Sequence, residues 1–194
     1  GGDMMDDSTS DHNAFSKFLL GWLTPLVYES GTSAVTLAAG QAIQAGPEAE
    51  AGKAWNEYFL AEYRQNTGPD SALPASGLYL WRVNARPDPS GAVFYNDNSF
   101  TRQKLLSRVE ADGNDSIETS LAPVSAASVY KNGSMFSPAT TPSSRDFRNK
   151  DTGLTLGPVV LGENYCSLPV TIATAPAATN LTATSGPTDG EAII

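Results

Sequence analysis

Two carboxylates five positions apart, Glu57 and Glu62, are side chains of this sequence whose types could do chemistry together. A glycosidase sets two carboxylates across one bond, about 5 Å or about 6.5–9.5 Å apart. At this spacing the pair points to opposite faces of a strand, and on a helix it stands roughly 140° apart. Neither element brings the two together without a bulge. The expectation is therefore an exposed Glu57, with Glu62 and Arg64 forming a charge pair on one strand face.

Nucleophilic catalysis needs a Ser or Cys activated by an imidazole. Only His12 is available, no G-x-S-x-G elbow is present, and Cys166 sits in the strand-like context Tyr165-Cys166-Ser167-Leu168. Cys166 is expected buried and free, and His12 is expected at a helix start, bonded to backbone. A single cysteine excludes an intramolecular disulfide or a multi-thiolate zinc site, and a single histidine excludes a site needing two imidazoles of these residues. The segments Asn96-Asp97-Asn98 and Asp112-Gly113-Asn114-Asp115 carry the oxygen ligands calcium prefers, so Asp97, Asp112 and Asp115 are candidate calcium ligands. They lack the EF-hand order, and the same residue types dominate solvated turns. Neither G-x-G-x-x-G nor a P-loop is present.

With 12 Lys+Arg against 21 Asp+Glu, the net charge of −9 repels phosphate backbones, and nucleic acid is not expected as a partner. The acidity is localised in two stretches, Asp3, Asp6, Asp7 and Asp11, then Glu110, Asp112, Asp115 and Glu118. No apolar run is long enough for a membrane span. Charged residues make up 17% of the chain, below the usual ~25%, while 17 Gly and 13 Pro favour strands and loops over long helices. At this length a chain buries roughly 70% of its unfolded surface, enough for a sizeable core.

The elements follow from periodicity. Ala14, Phe15, Phe18, Leu19 and Trp22 keep helical spacing, with Asp11 or Asn13 available as N-cap and Gly21 and Pro25 near the stop. This predicts one short amphipathic helix over about 14–22. Val35–Leu37, Tyr58–Leu60, Leu78–Val83 and Leu154–Leu156 are short and β-prone. Leu78–Val83 is apolar on both faces apart from Arg82, as in a strand covered on both sides, and Glu57–Arg64 is its expected neighbour. Gly133–Thr152, dense in Ser, Thr and Pro, reads as a long surface excursion. The predicted class is α+β, mostly β, with a sheet or sandwich-like body.

Asp3-Met4-Met5, followed after an acidic stretch by Asp11-His12-Asn13-Ala14-Phe15-Ser16-Lys17-Phe18-Leu19-Leu20-Gly21-Trp22-Leu23-Thr24-Pro25, resembles the secreted bacterial metallopeptidases of the immune inhibitor A type. A second block, Glu57-Tyr58-Phe59-Leu60-Ala61-Glu62-Tyr63-Arg64-Gln65-Asn66-Thr67-Gly68, leads into Leu73-Pro74 and Gly77-Leu78-Tyr79-Leu80-Trp81-Arg82-Val83-Asn84, resembling that family's "EYFLxExRQxTG…LP…GLxIWHVD". Arg82 and Asn84 depart from the family's His and Asp. A third block joins Val109–Gly113 to Thr141–Ser144 and Thr152–Leu154, and the resemblance covers roughly residues 1–172.

The resemblance implies a secreted, extracellular zinc endopeptidase acting on protein or peptide substrates. Its H-E-x-x-H motif supplies two zinc ligands and the general base, and is expected upstream of Gly1, so this span alone is expected to be inactive. No catalytic residue or zinc ligand is assigned within the chain. The resemblance places Met4 or Met5 in a Met-turn, a soft floor beneath the zinc-binding imidazoles, and spacing does not choose between them. Residues 1–173 are expected to be the C-terminal portion of the peptidase domain. Residues 174–194, with Pro176-Ala177-Ala178-Thr179-Asn180-Leu181-Thr182-Ala183-Thr184, resemble a linker and the opening strands of a truncated fibronectin type III domain. The alternative reading is an extracellular, calcium-stabilised β-sandwich module for binding or adhesion.

Overall fold

The computed structural model describes residues 10–98 and 103–173. The expected Met-turn at Met4 and Met5 and the expected fibronectin-like segment 174–194 lie outside these residues.

Helix α1 spans Ala14–Leu19, ending earlier than its apolar spacing suggests. Asn13 is the N-cap, its Oδ1 accepting from the Ser16 N–H at 2.9 Å. Gly21 (φ 72°) stops the helix: its N–H donates to Phe18 O and that of Trp22 to Lys17 O, a Schellman closure. Trp22 thus lies beyond the helix and is exposed.

The strands that follow are β1 (Leu26–Tyr28), β2 (Gly31–Ala38), β3 (Ala42–Ala45), β4 (Glu57–Arg64), β5 (Gly77–Asn84) and β6 (Leu106–Val109). A short helix α2 (Ser116–Ser120) precedes β7 (Leu154–Leu156), β8 (Val160–Leu161) and β9 (Tyr165–Ile172). One sheet has the order β1-β3-β4-β5-β6, antiparallel except where β1 runs parallel to β3. The other has the order β2-β9-β7, with β8 also paired to β9. The class expected from the sequence, α+β and mostly β, is the class observed.

Strand alternation explains how the layers stack. Phe59, Ala61 and Tyr63 of β4, with Leu78 and Leu80 of β5, meet Val35, Leu37, Leu168 and Val170 of the second sheet. The intervening residues Tyr58, Leu60, Trp81 and Val83 pack with Ala14 and Phe15 of α1. The first sheet is therefore a middle layer, and every residue of β4 is buried. Glu57–Asn84 through Arg64–Gly77 align β4 with β5 along their whole length, the neighbours the sequence predicts.

The stretch 133–152 corrects an expectation. It is not a surface excursion throughout, since Phe136 and Ser144 are fully buried. Phe136 and Leu156 exchange backbone bonds of 2.9 and 2.8 Å, and the Phe136 ring stands edge-on to Phe59 at 5.1 Å. Ser and Thr side chains satisfy the local backbone, as where Ser137 N–H donates to Thr140 Oγ1 at 2.8 Å and Ser144 Oγ donates to Leu154 O at 2.7 Å. A polar segment whose hydrogen bonds close locally can carry an aromatic anchor into the core.

Phe136→Ala is expected to lower the unfolding free energy by ~3–5 kcal/mol in a denaturant titration. A loss below ~0.5 kcal/mol, the range of surface positions, would return the segment to the surface.

Candidate functional site

Lys17 projects from the last turn of α1 onto the outward face of β4. Its Nζ lies 2.9 Å from Glu62 Oε1 and 2.9 Å from Asp11 Oδ2. Alternation puts Glu62 and Arg64 on this same face, as the sequence predicts, and both side chains are almost wholly buried. Arg64 Nε lies 3.9 Å from Glu62 Oε2 but donates to Asp70 Oδ2 at 3.0 Å. Its Nη2 donates to Asp70 Oδ1 and, at 2.8 Å, to the backbone oxygen of Asp11. Asp70 Oδ1 in turn accepts the Asp11 N–H at 3.0 Å. Two cations and three carboxylates thus join the start of α1, the middle sheet and the turn at Gly68–Asp70.

Burial by itself lowers the Lys17 pKa, but Glu62 and Asp11 outweigh it and raise the ammonium above its ordinary value. Burial raises Asp11 less than Lys17, the His12 N–H and Arg64 lower it, so its carboxyl ends below the usual range. Glu62 goes the other way: full burial pushes its carboxyl up, against the pull of Arg64 and Lys17. The opposite directions share one cause, because Glu62 Oε2 is buried with no hydrogen bond while Asp11 retains access to water. The charged Glu62 depends on Lys17.

Glu57 departs from expectation. It is buried, because Arg86 from the segment after β5 places Nη2 3.0 Å from Glu57 Oε2, and Glu57 Oε1 accepts the Phe147 N–H at 3.2 Å. Glu48 completes the pair, accepting from Arg86 Nε at 3.0 Å and from the Glu57 N–H at 3.1 Å. Glu57 and Glu62 face opposite sides of β4, so they do not flank a common bond.

Cys166 is buried in the core between the sheets, where burial pushes its thiol up to about 11. His12 lies beside α1, its ring edge-on to that of Trp22 with the ring centres 5.6 Å apart. The two belong to different layers and form no dyad. Of the calcium candidates, Asp97 accepts the Leu105 N–H through its backbone oxygen at 2.9 Å, and Asp112 Oδ1 accepts the Asn114 N–H at 3.2 Å. Asp115 precedes α2 in a left-handed conformation, φ 50°. Among the described residues no group of three or more His, Cys, Asp or Glu side chains could hold a metal ion. The zinc set implied by the resemblance is therefore not supplied by the described residues. Among them, no helix is long and apolar enough to cross a membrane.

A cavity of about 690 Å³ lies beside β6, lined by residues that include Arg82, Arg108, Glu110, Arg145 and Phe147. Arg82 Nη2 donates to the backbone oxygens of Ser143 and Arg145 at 3.0 and 2.8 Å, and the guanidinium lies near the Phe59 and Phe147 rings. The sequence did not announce this cavity, since its walls come from β5, β6, α2 and the segment 142–149. Its one local signal is Arg82, the lone charge in an otherwise apolar strand. No family model, curated protein or solved structure matches the chain.

Lys17→Met leaves Glu62 buried without its closest cation and is expected to cost ~3–5 kcal/mol at neutral pH. Glu62 has a folded pKa above its unfolded value, so between the two the folded state binds the extra proton. The stability deficit of the variant is therefore expected to shrink as the pH falls towards 4.5, the ordinary value for Glu. Denaturant titrations across this range check the sign, and a deficit that grows on acidification contradicts it.

Proposed function

We propose that this chain is the C-terminal portion of the catalytic domain of a secreted zinc metalloendopeptidase, acting on protein or peptide substrates. The carrying observation is that the two sequence blocks resembling that family hold one another. Asp11 and Lys17 from the first block meet Glu62 and Arg64 from the second, with Asp70 closing the ring. Those blocks otherwise have no local reason to share a buried ionic network.

On this reading the chain acts by positioning. Arg64 and Asp70 fix the backbone of Asp11 through its C=O and N–H, which sets how the chain enters α1. The middle sheet then serves as a rigid platform, and α1 sits on its outward face. Zinc, held by an upstream H-E-x-x-H, would supply a water of lowered pKa to attack the peptide carbonyl. The fibronectin-like ending of 174–194 and the extracellular location belong to the same proposal.

The two-sheet body gives weight to a second reading, a binding or adhesion module, in which calcium would rest on backbone oxygens and on Asp97, Asp112 or Asp115 singly, since these carboxylates do not gather into one group. A calcium-dependent rise in melting temperature is the outcome that favours it.

The peptidase reading is tested with a quenched fluorescent peptide and added zinc. The 194-residue chain by itself is expected to leave the peptide intact. The same chain expressed with its upstream coding sequence is expected to cleave it, and a chelator is expected to abolish cleavage. Chelator-sensitive cleavage by the chain alone, or an upstream frame without H-E-x-x-H, contradicts the reading.

A further inference from the structure

Among the described residues, strand β6 is the outermost strand of its sheet and pairs with β5 alone. The direction of its backbone groups follows from the bonds at either end of the ladder. Asn84 N–H donates to Leu105 O at 2.7 Å, while Leu78 and Tyr130 exchange bonds of 2.9 and 3.1 Å on the same side of β5. Antiparallel ladders alternate bonded and non-bonded pairs. With Arg82 opposite Ser107 and Leu80 opposite Val109, those pairs bond inward, and Leu106 and Arg108 present their N–H and C=O groups outward. The Leu106 N–H is taken by Asn98 Oδ1 at 2.9 Å. Among the described residues nothing takes the N–H or C=O of Arg108.

That edge opens onto the cavity of about 690 Å³ described above. Four consecutive residues, Ser107 to Glu110, line it. Successive side chains of a strand point to opposite faces, so a strand lines one cavity with four consecutive residues only along its edge. The volume falls within the ~300–1,000 Å³ of ligand sites. Proteins usually guard such an edge with a charged side chain. Here the Arg108 side chain is folded away, its guanidinium carbon 4.4 Å from the centre of the Tyr79 ring, and only 5% of the residue is exposed.

Among the side-chain atoms of the lining that are buried without a hydrogen bond, all are donors. Glu118 is paired with Lys104, and Glu110 accepts from Ser116 Oγ and the Ile117 N–H at 2.8 and 2.7 Å. Asp146 accepts the Arg148 and Lys150 N–H groups at 2.9 and 2.7 Å. Asp115 is the lining acid whose side chain does not cap α2. On the donor side, Arg82 Nε and Arg108 Nε and Nη1 are buried without a partner. Unmatched buried donors on a cationic group call for an acceptor, and a carboxylate matches a guanidinium best.

We propose that the free edge of β6 takes an extended peptide segment as an added strand, its main chain paired with the backbone of Arg108, with acidic side chains preferred on the face of Arg82. The docking itself goes beyond the peptidase reading. Only the identification of the segment as part of a protein substrate rests on that reading.

The test is fluorescence anisotropy of the 194-residue chain with a short, labelled, acetylated and amidated peptide of alternating Val and Glu. Saturable binding is expected. N-methylation of alternate residues, which removes main-chain donors and blocks strand addition, is expected to weaken it about tenfold or more. Lys in place of Glu is expected to weaken it as well, and Arg82→Gln to narrow the difference between the Glu and Lys peptides. Absence of saturable binding, or equal binding of the N-methylated peptide, overturns strand addition. Equal binding of the Glu and Lys peptides overturns the acidic preference. An upstream frame without H-E-x-x-H removes the peptidase reading and leaves the docking result standing.

Discussion

The burial of Glu62 in the middle layer is the constraint on which the rest of this structure depends. A carboxylate placed between a sheet and a helix, with no exposed surface, is tolerated when cations reach it. Lys17 reaches it from α1 and Arg64 from the same strand. Because Lys17 comes from the helix, the charge dictates where α1 lies. Because Arg64 also holds Asp70 and the backbone of Asp11, the same charge dictates how the chain approaches the helix. Apolar contact alone, Ala14 and Phe15 on Tyr58 and Leu60, holds the helix to the sheet without fixing its register so tightly.

The opposite face of β4 is organised by packing rather than charge. Phe59, Ala61 and Tyr63 enter a core shared with β2, β7 and β9, which Phe136 joins from an otherwise polar segment. Arg82 and Glu57 sit at the end of that face, where the core gives way to the cavity and to Arg86. One strand therefore separates a charge network on one side from an apolar, partly aromatic core on the other. The peptidase proposal uses the first as an anchor, and the strand-addition proposal uses the open edge that the second sheet leaves uncovered.

Much of this was legible in the sequence where local rules govern. The run Leu78–Val83, apolar on both faces apart from Arg82, announced a central strand with Glu57–Arg64 as its neighbour, and the Glu62–Arg64 pairing followed from their spacing. The helix start was narrowed to Asp11 or Asn13; Asn13 caps, while Asp11 serves the ionic network instead. What stayed hidden depends on partners distant in sequence. Glu57 looked exposed because nothing near it announces Arg86, and Phe136 looked like a loop residue because Ser, Thr and Pro around it mask a single aromatic anchor. Strand β6 has too few residues to display a period, so its open edge emerged only from the ladder.

The most direct test of the account is a double-mutant cycle on Lys17 and Glu62, using Lys17→Met, Glu62→Leu and the double variant in denaturant titrations. A coupling of ~2–3 kcal/mol is expected, with the double variant recovering much of what Lys17→Met loses, because replacing a buried ion pair by apolar groups removes the unpaired charge. Effects that add to within ~0.5 kcal/mol would contradict it, showing that α1 is held to the sheet by apolar packing alone.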